Sequence, residues 1–365
     1  MYTQEQASDS HWKGLWDWNH FTERNLFQMQ SFHSFLDLHN YYIGAHTNGG
    51  VVSVDTFEAA QDRLRRELER ADRLQSIQCL VDMDSAWGAF ASDMLTYLSE
   101  ECAHVALSVF GNDYPYASTT SSKGLLHDRT KQRARTCLNV VSSLLALWEH
   151  AHLVVPIAMS PDTLPFTRFS AWNLNRSDRC GLSQLVATSL MASQFNVGNP
   201  YIPSPYKFCE LAVQAPIRQP ETVSARIAKR RTASIPLVED QHSLLPCVRE
   251  HKSAQSFGWR RTFISGIDMK HMQSRNMQEF NITWSLDPLL LPQDWLPQYS
   301  GAIDTIAEYK VSESIGFYLQ DLGAQMQTLD RRIVHEYVQN GMESDRLAEL
   351  REELATHGEL YHSIK

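Results

Sequence analysis

Residues 56–74, TFEAAQDRLRRELERADRL, place Phe57, Ala60, Leu64, Leu68, Ala71 and Leu74 at steps of three and four. That spacing predicts a helix with Thr56 as its N-cap. IQCLV (77–81) follows as a short apolar run and predicts a strand. The pattern then repeats. A helix is expected over 92–103, a strand at VALSVF (105–110) and a polar loop at GNDYPYASTTSSKG. A long helix over 128–150 carries Leu138, Val141, Leu144, Leu145 and Trp148, and LVVPI (153–157) is a third strand. Short apolar strands alternating with helices predict a parallel sheet covered on both faces. A helix over 179–195, with Leu182, Leu185, Val186 and Leu190, would close this unit.

Beyond it the pattern changes. Five prolines fall within 199–220, and the runs AVQAPI, LLPCV, RTFISGI and FNITWSL are separated by turn chemistry. This predicts an α+β region with a mixed or antiparallel sheet, with ETVSARIAKRRTAS (221–234) as a possible helix inside it. Two helices are expected from 312 onward. The last carries Leu347, Leu350, Leu354, His357 and Tyr361 on one stripe. Gly341 precedes it, and Glu343 and Asp345 complement its positive N-terminal end. The expected organisation is a doubly wound α/β domain over 1–195, an α+β domain over 196–310 and C-terminal helices over 311–365. The first 50 residues stand apart. Trp12, Trp16, Trp18, Phe21, Phe27, Phe32, Phe35, Tyr41 and Tyr42 demand a partner surface and predict an irregular wrap or short helices.

Composition narrows the function classes. The chain has 365 residues, is 43% apolar and carries a formal charge of −9. A general nucleic-acid binder would show a concentrated basic face. The one dense basic run, ARIAKRR (225–231), reads first as a solvated surface. The six cysteines, at 79, 102, 137, 180, 209 and 247, form no CxxC pair and suit buried free thiols in a reducing compartment. No metal-binding histidine pattern occurs among the 15 histidines, and His357 and His362 read as surface residues. The start, MYTQEQASDSHWKG, has no secretory or transit-peptide character, and no stretch approaches the roughly 20 apolar residues of a spanning helix.

The chemistry, if any, centres on LVDMDSAWGAFASDMLTYLSEE (80–101), which runs from strand to helix. Such turns hold phosphates on the free N–H groups of the helix N-terminus. They usually need several glycines, and this turn has one, Gly88, beside Trp87. Asp82 and Asp84 at a strand's C-terminal end also suit a catalytic base in an α/β enzyme. No nucleophile or histidine lies nearby in sequence, and capping of the following helix is the alternative role.

Three stretches carry a family resemblance. YVQNGMESDRLAELREELATHGELYHS resembles the end of tubulins, and LSQLVATSLMASQFNVGNPYIPSPYKFCELAV (182–213) is similar to the tubulin passage from central helix to intermediate domain. RLQSIQCLVDMDSAWGAFASDMLTYLSEECAHVALSVF falls where tubulins have their glycine-rich signature. That last form, with WDWNHF upstream and CLNVVSSLLALWEHAHLVVPI (137–157) downstream, looks like the Misato family, related to tubulin and FtsZ. The resemblance implies a tubulin-like fold whose first strand and loop would precede this chain's aromatic stretch. It implies a role in mitochondrial organisation, distribution and inheritance, at the mitochondrion or in the cytoplasm. Cytoskeletal or mitochondrial-surface protein partners are implied, with no nucleic acid.

The same resemblance marks Asp84, Ser85, Trp87, Gly88 and Asn139 as vestigial nucleotide-site positions. Trp87 could stack on a base or pack internally. Asn139 could read a guanine or bond backbone and water, and Leu138 stands where a stacking ring is expected. The loop that should present a hydrolytic acid falls near Pro205 to Lys207, and NPYIPSPYK holds no acid. Cβ atoms and an indole fill ground that glycines leave open to phosphate. The expectation is therefore no catalytic residue, no metal and no cofactor, with a GTP-binding, polymer-forming GTPase as the alternative.

Overall fold

A computed structural model of the chain describes residues 38–45, 52–74, 76–113, 126–158, 205–214, 242–243, 245–246, 256–265, 281–285, 289–290, 302–303 and 305–362, with residues 27 and 29 singly. The first unit follows the predicted alternation: α1 Val54–Glu69, β1 Ser76–Asp82, α2 Trp87–Glu101, β2 Ala106–Asp113, α3 Leu126–His150 and β3 Leu153–Ala158. The three strands form a parallel sheet in the order β1-β2-β3. This is the α/β layer the apolar runs predict. β2 is buried from Ala106 to Asn112, whereas β1 is half-exposed along most of its length.

Boundaries moved for one local and two tertiary reasons. α1 starts at Val54, because the Ser53 hydroxyl accepts from Thr56 N and makes Ser53 the cap in place of Thr56. α2 starts at Trp87, five residues before the expected position. Gly88 and Ala89 are small enough for its first turn to lie buried against α3. β2 runs on to Asp113 because Met83 N reaches across to Asn112 O at 2.9 Å. The helices expected at 179–195 and 221–234 lie outside the described residues.

The sheet does not stop at β3. Val154 N donates to Lys207 O and Cys209 N to Val154 O, both at 2.9 Å, in a parallel bridge of Val154 with Phe208. The same chain then becomes β4 (Glu210–Gln214) of a second sheet. That sheet adds β5 (His242–Ser243), β6 (Ser256–Ser265), β7 (Asn281–Ser285) and β10 (Thr305–Ser312), in the order β5-β4-β10-β6-β7. It is antiparallel except for the β6–β7 pair, and a two-stranded piece joins β8 (Leu289–Leu290) to β9 (Ala302–Ile303). Pairing is described at His242–Ser243, and most of the strand expected at LLPCV (244–248) lies outside the described residues.

Three helices, where two were expected, pack over this junction: α4 Glu313–Gln327, α5 Arg331–Gln339 and α6 Arg346–Leu360. The extra break is local. Asp330 caps α5 by accepting from Arg332 N at 2.9 Å, and Gly341, with φ 107°, lets the chain turn after it. α6 buries Leu350 and Leu354, the apolar stripe read from sequence. Just beyond it, the Tyr361 hydroxyl accepts from Phe208 N at 2.8 Å and donates to Phe208 O, tying the C-terminus to the strand that joins the sheets. The core runs continuously through Val109, Leu138, Leu144, Val154, Phe208, Leu319, Tyr337 and Tyr361. No helix among the described residues is long and apolar enough to cross a membrane.

Candidate functional site: a closed strand-to-helix turn

The turn between β1 and α2 is short and tightly bonded. Met83 N is bound to Asn112 O, Trp87 N to the Ser85 hydroxyl at 3.3 Å and Gly88 N to Ser85 O at 3.2 Å. Ser85 thus folds back on the first turn of α2, as serine commonly does before a helix. Met83 and Ala86 are fully buried. Gly88 sits so close to α3 that a Cβ there would lie 1.9 Å from Ser143 Oγ. Ser143 Oγ in turn donates to Met83 O at 2.9 Å. Trp87 packs edge-to-face on Phe90, which packs edge-to-face on Phe57 of α1.

Across this turn lies a second piece of the same chain, residues 38–45, which we call the strap. It includes one 3-10 turn, Tyr41–Ile43, capped by the Asn40 side chain accepting from Tyr42 N. Leu38 O accepts from Ala86 N at 2.8 Å. Gly44 packs so closely that a Cβ there would stand 1.9 Å from Ala86 O. Of the aromatics in the predicted N-terminal wrap, Tyr42 is buried and meets Tyr337 edge-to-face. Those at 12–35, apart from the singly placed Phe27, lie outside the described residues.

Asn139 is the hub of the arrangement. It is 1% exposed. Its Nδ2 donates to His39 O at 2.9 Å and to Asp84 O at 2.7 Å, while its Oδ1 accepts from Tyr41 N at 2.8 Å and Tyr337 Oη at 2.7 Å. An amide side chain has two donor hydrogens and two acceptor lone pairs, and here all four are used. The structure therefore brings Asp84, Ser85, Trp87, Gly88 and Asn139 to one place. The bonds there run to the protein's own backbone and to Tyr337.

A half-buried ion pair flanks the hub. Arg135 holds Glu336 with two hydrogen bonds, at 3.1 and 2.7 Å, and His39 Nε2 stands 3.1 Å from the same carboxylate. Burial works against ionisation of Glu336, but Arg135 and His39 outweigh it and hold the carboxyl below its usual range. Burial and the neighbouring Glu336 push the Tyr337 phenol well up, so it stays a hydroxyl donor.

Other residues marked in the sequence lie elsewhere. Asp82 ends β1 in register with Asn112. Asp113, at the end of β2, has one buried carboxylate oxygen with no hydrogen-bond partner, and burial pushes its carboxyl up to about 6. Lys207 donates to Trp148 O at 2.9 Å and Glu149 O at 3.3 Å, and lies 4.6 Å from the centre of the Trp148 ring. It closes the C-terminus of α3, where carbonyls and the helix dipole favour a cation. His357 and His362 are not surface residues as expected. His357, on α6, lies half-buried between Trp148 and Phe208, and His362, in the turn just past α6, packs on Phe317. No group of three metal-ligating side chains gathers among the described residues.

Sequence reasoning missed the strap, Ser143 and Tyr337. One signal was present: Asn139, Ser142 and Ser143 interrupt an otherwise apolar run, and buried polar side chains need partners. Nothing local could say that the partners lie about 100 and 200 positions away.

Comparison with known proteins agrees with the α/β fold. Residues 20–193 match the tubulin domain family. The chain is 33% identical to Protein DML1 of Candida albicans over 99 residues, 27% of this chain and 17% of that protein. It is 32% identical to Protein dml-1 of Neurospora crassa over 114 residues, 31% of this chain and 20% of that protein. Protein DML1 of Kluyveromyces lactis is 25% identical over 158 residues, 43% of this chain and 32% of that protein. The chain thus spans less than a third of the length of each of these relatives. By these matches the chain is similar to the tubulin domain family over 20–193 and, over shorter stretches, to these DML1 proteins.

Proposed function

We propose that this protein is a non-enzymatic tubulin-like factor that serves mitochondrial organisation, distribution and inheritance through protein–protein contacts. One observation carries the non-enzymatic part: the strap lies on the turn, with Leu38 O on Ala86 N and Gly44 against the Ala86 carbonyl. A phosphate held at a strand-to-helix turn is bound by backbone N–H groups left free for it. Here Met83 N, Ala86 N, Trp87 N and Gly88 N are bound within the chain. Asn139, the position matched to base reading, has both donors and both lone pairs engaged. Lys207, in the Pro205–Lys207 stretch where the resemblance leads one to expect the hydrolytic acid, caps α3, and an ammonium cannot orient water as a carboxylate does.

The mitochondrial role rests on the family resemblance, which also supports partners of the cytoskeleton or the mitochondrial surface. Fractionation of cells with and without microtubule depolymerisation tests it. Mitochondrial association that persists supports an organelle-surface role, and association lost with the microtubules supports a cytoskeletal one. Absence from mitochondria in both arms contradicts the proposal. The tubulin-domain match favours a second reading, a GTP-dependent polymer. Sedimentation with and without GTP separates the two.

A further inference from the structure

We infer that residues 38–45 are a displaceable strap, and that Asn139 and Tyr337 form the latch by which α5 keeps it shut over the β1–α2 turn. This deepens the reading of a closed turn and rests on it. The strap touches three elements far apart in sequence. Toward the turn it offers Leu38 O to Ala86 N. Toward α3 it is gripped on both sides of Asn40, with His39 O and Tyr41 N each bound to the Asn139 amide. Toward α5 it meets Tyr337, whose hydroxyl lies 2.7 Å from Asn139 Oδ1, 3.2 Å from Arg135 O and 3.3 Å from His39 O, while His39 meets Glu336. The bond from Asn139 Nδ2 to Asp84 O ties the same amide to the turn itself.

The strap's closed form also contains a fault. Asn40 is fully buried, and its Nδ2 has no hydrogen-bond partner. A buried unpaired donor is costly, so this conformation is not favoured by the strap alone. It is held by contacts from α3 and α5. A shift of α5 withdraws the Tyr337 hydroxyl from Asn139 and the Glu336 carboxylate from His39 together. That frees the amide that clamps strap and turn. The C-terminal helices and the turn are then two ends of one element with a closed and an open arrangement.

The test is hydrogen exchange on the full chain, read by mass spectrometry in peptides spanning 38–45 and 83–88. Peptides containing Val154 and Cys209, whose amides pair across the sheet, serve as the internal reference. Tyr337→Phe should raise exchange about tenfold in both the strap and the turn peptides while leaving the reference peptides unchanged. Leu322→Ala, a buried truncation in α4, which carries none of the latch residues, is the control for general loss of stability. Glu336→Gln is a milder variant for use if Tyr337→Phe does not fold, and should give a rise of about threefold in the same two peptides. An unchanged turn peptide, or an equal rise in Leu322→Ala, would overturn the latch. No nucleotide is present in this experiment. GTP binding by the unaltered chain would therefore contradict the proposed function and leave the latch standing.

Discussion

The β1–α2 turn and the segment at Lys207 are the two places where the resemblance to tubulins leads one to expect phosphate chemistry, and this chain fills them differently. At Lys207 the change is one of side-chain type. A cation sits where an acid is expected, bonded to the last carbonyls of α3 and laid over Trp148. At the turn the change is one of backbone. Residues 38–45 lie on the turn, with Leu38 O accepting from Ala86 N, and a buried amide from α3 bonds both strap and turn. Exchange of one half-buried side chain is readily reversed. A strap built into the core is not, and its loss should cost far more.

Gly44→Ala should have the largest effect. Its Cβ would stand 1.9 Å from a backbone oxygen, so strap or turn must move, at a cost of more than about 3 kcal/mol read by denaturant unfolding. Gly88→Ala should cost less, since there the obstacle is the Ser143 side chain, and Ser143→Gly should restore part of the loss. Asn139→Ala should destabilise by about 3 kcal/mol, because it strands two carbonyls, one N–H and one buried hydroxyl at once.

Asp113 and Glu336 give the comparison a pH axis. The Asp113 carboxyl is raised in the folded protein to about 6, so the fold favours its protonated form. The stability it confers is present below the ordinary carboxylate range and is lost as pH rises toward 6. Asp113→Asn should therefore stabilise the protein at neutral pH by about 2 kcal/mol, with the gain disappearing near pH 4. Glu336 has the opposite sign. Held low by Arg135 against the opposing effect of burial, it contributes stability that is lost as pH falls through its lowered range. Melting temperatures of wild type and Asp113→Asn between pH 4 and 8 would separate the two terms. Lys207→Met should have the smallest effect, about 1 kcal/mol, through the helix cap and the ring contact it gives up.

The part of the site visible in the sequence was its composition. Met83 to Ala89 showed side chains at all but one place where a phosphate loop needs glycines, and NPYIPSPYK showed the absence of an acid. The alternating parallel layer was legible too, because its strands are continuous apolar runs and its helices have long periodic faces. The closure was not. Leu38, Gly44 and Tyr337 carry no local signature, since the contacts around them form only once segments 98 and 198 positions apart have come together. The start of α2 was missed for the same reason, the distant Gly88–Ser143 contact, whereas that of α1 is local: Ser53 caps it three residues before Thr56, and the apolar period does not register the cap.

The most direct test of the closed turn is calorimetric titration of the purified chain with GTP and magnesium, paired with a phosphate-release assay. The expected result is no saturable binding up to about 100 µM nucleotide and no hydrolysis above the buffer blank. Micromolar affinity with turnover would show that the strap yields to a triphosphate, and would contradict it.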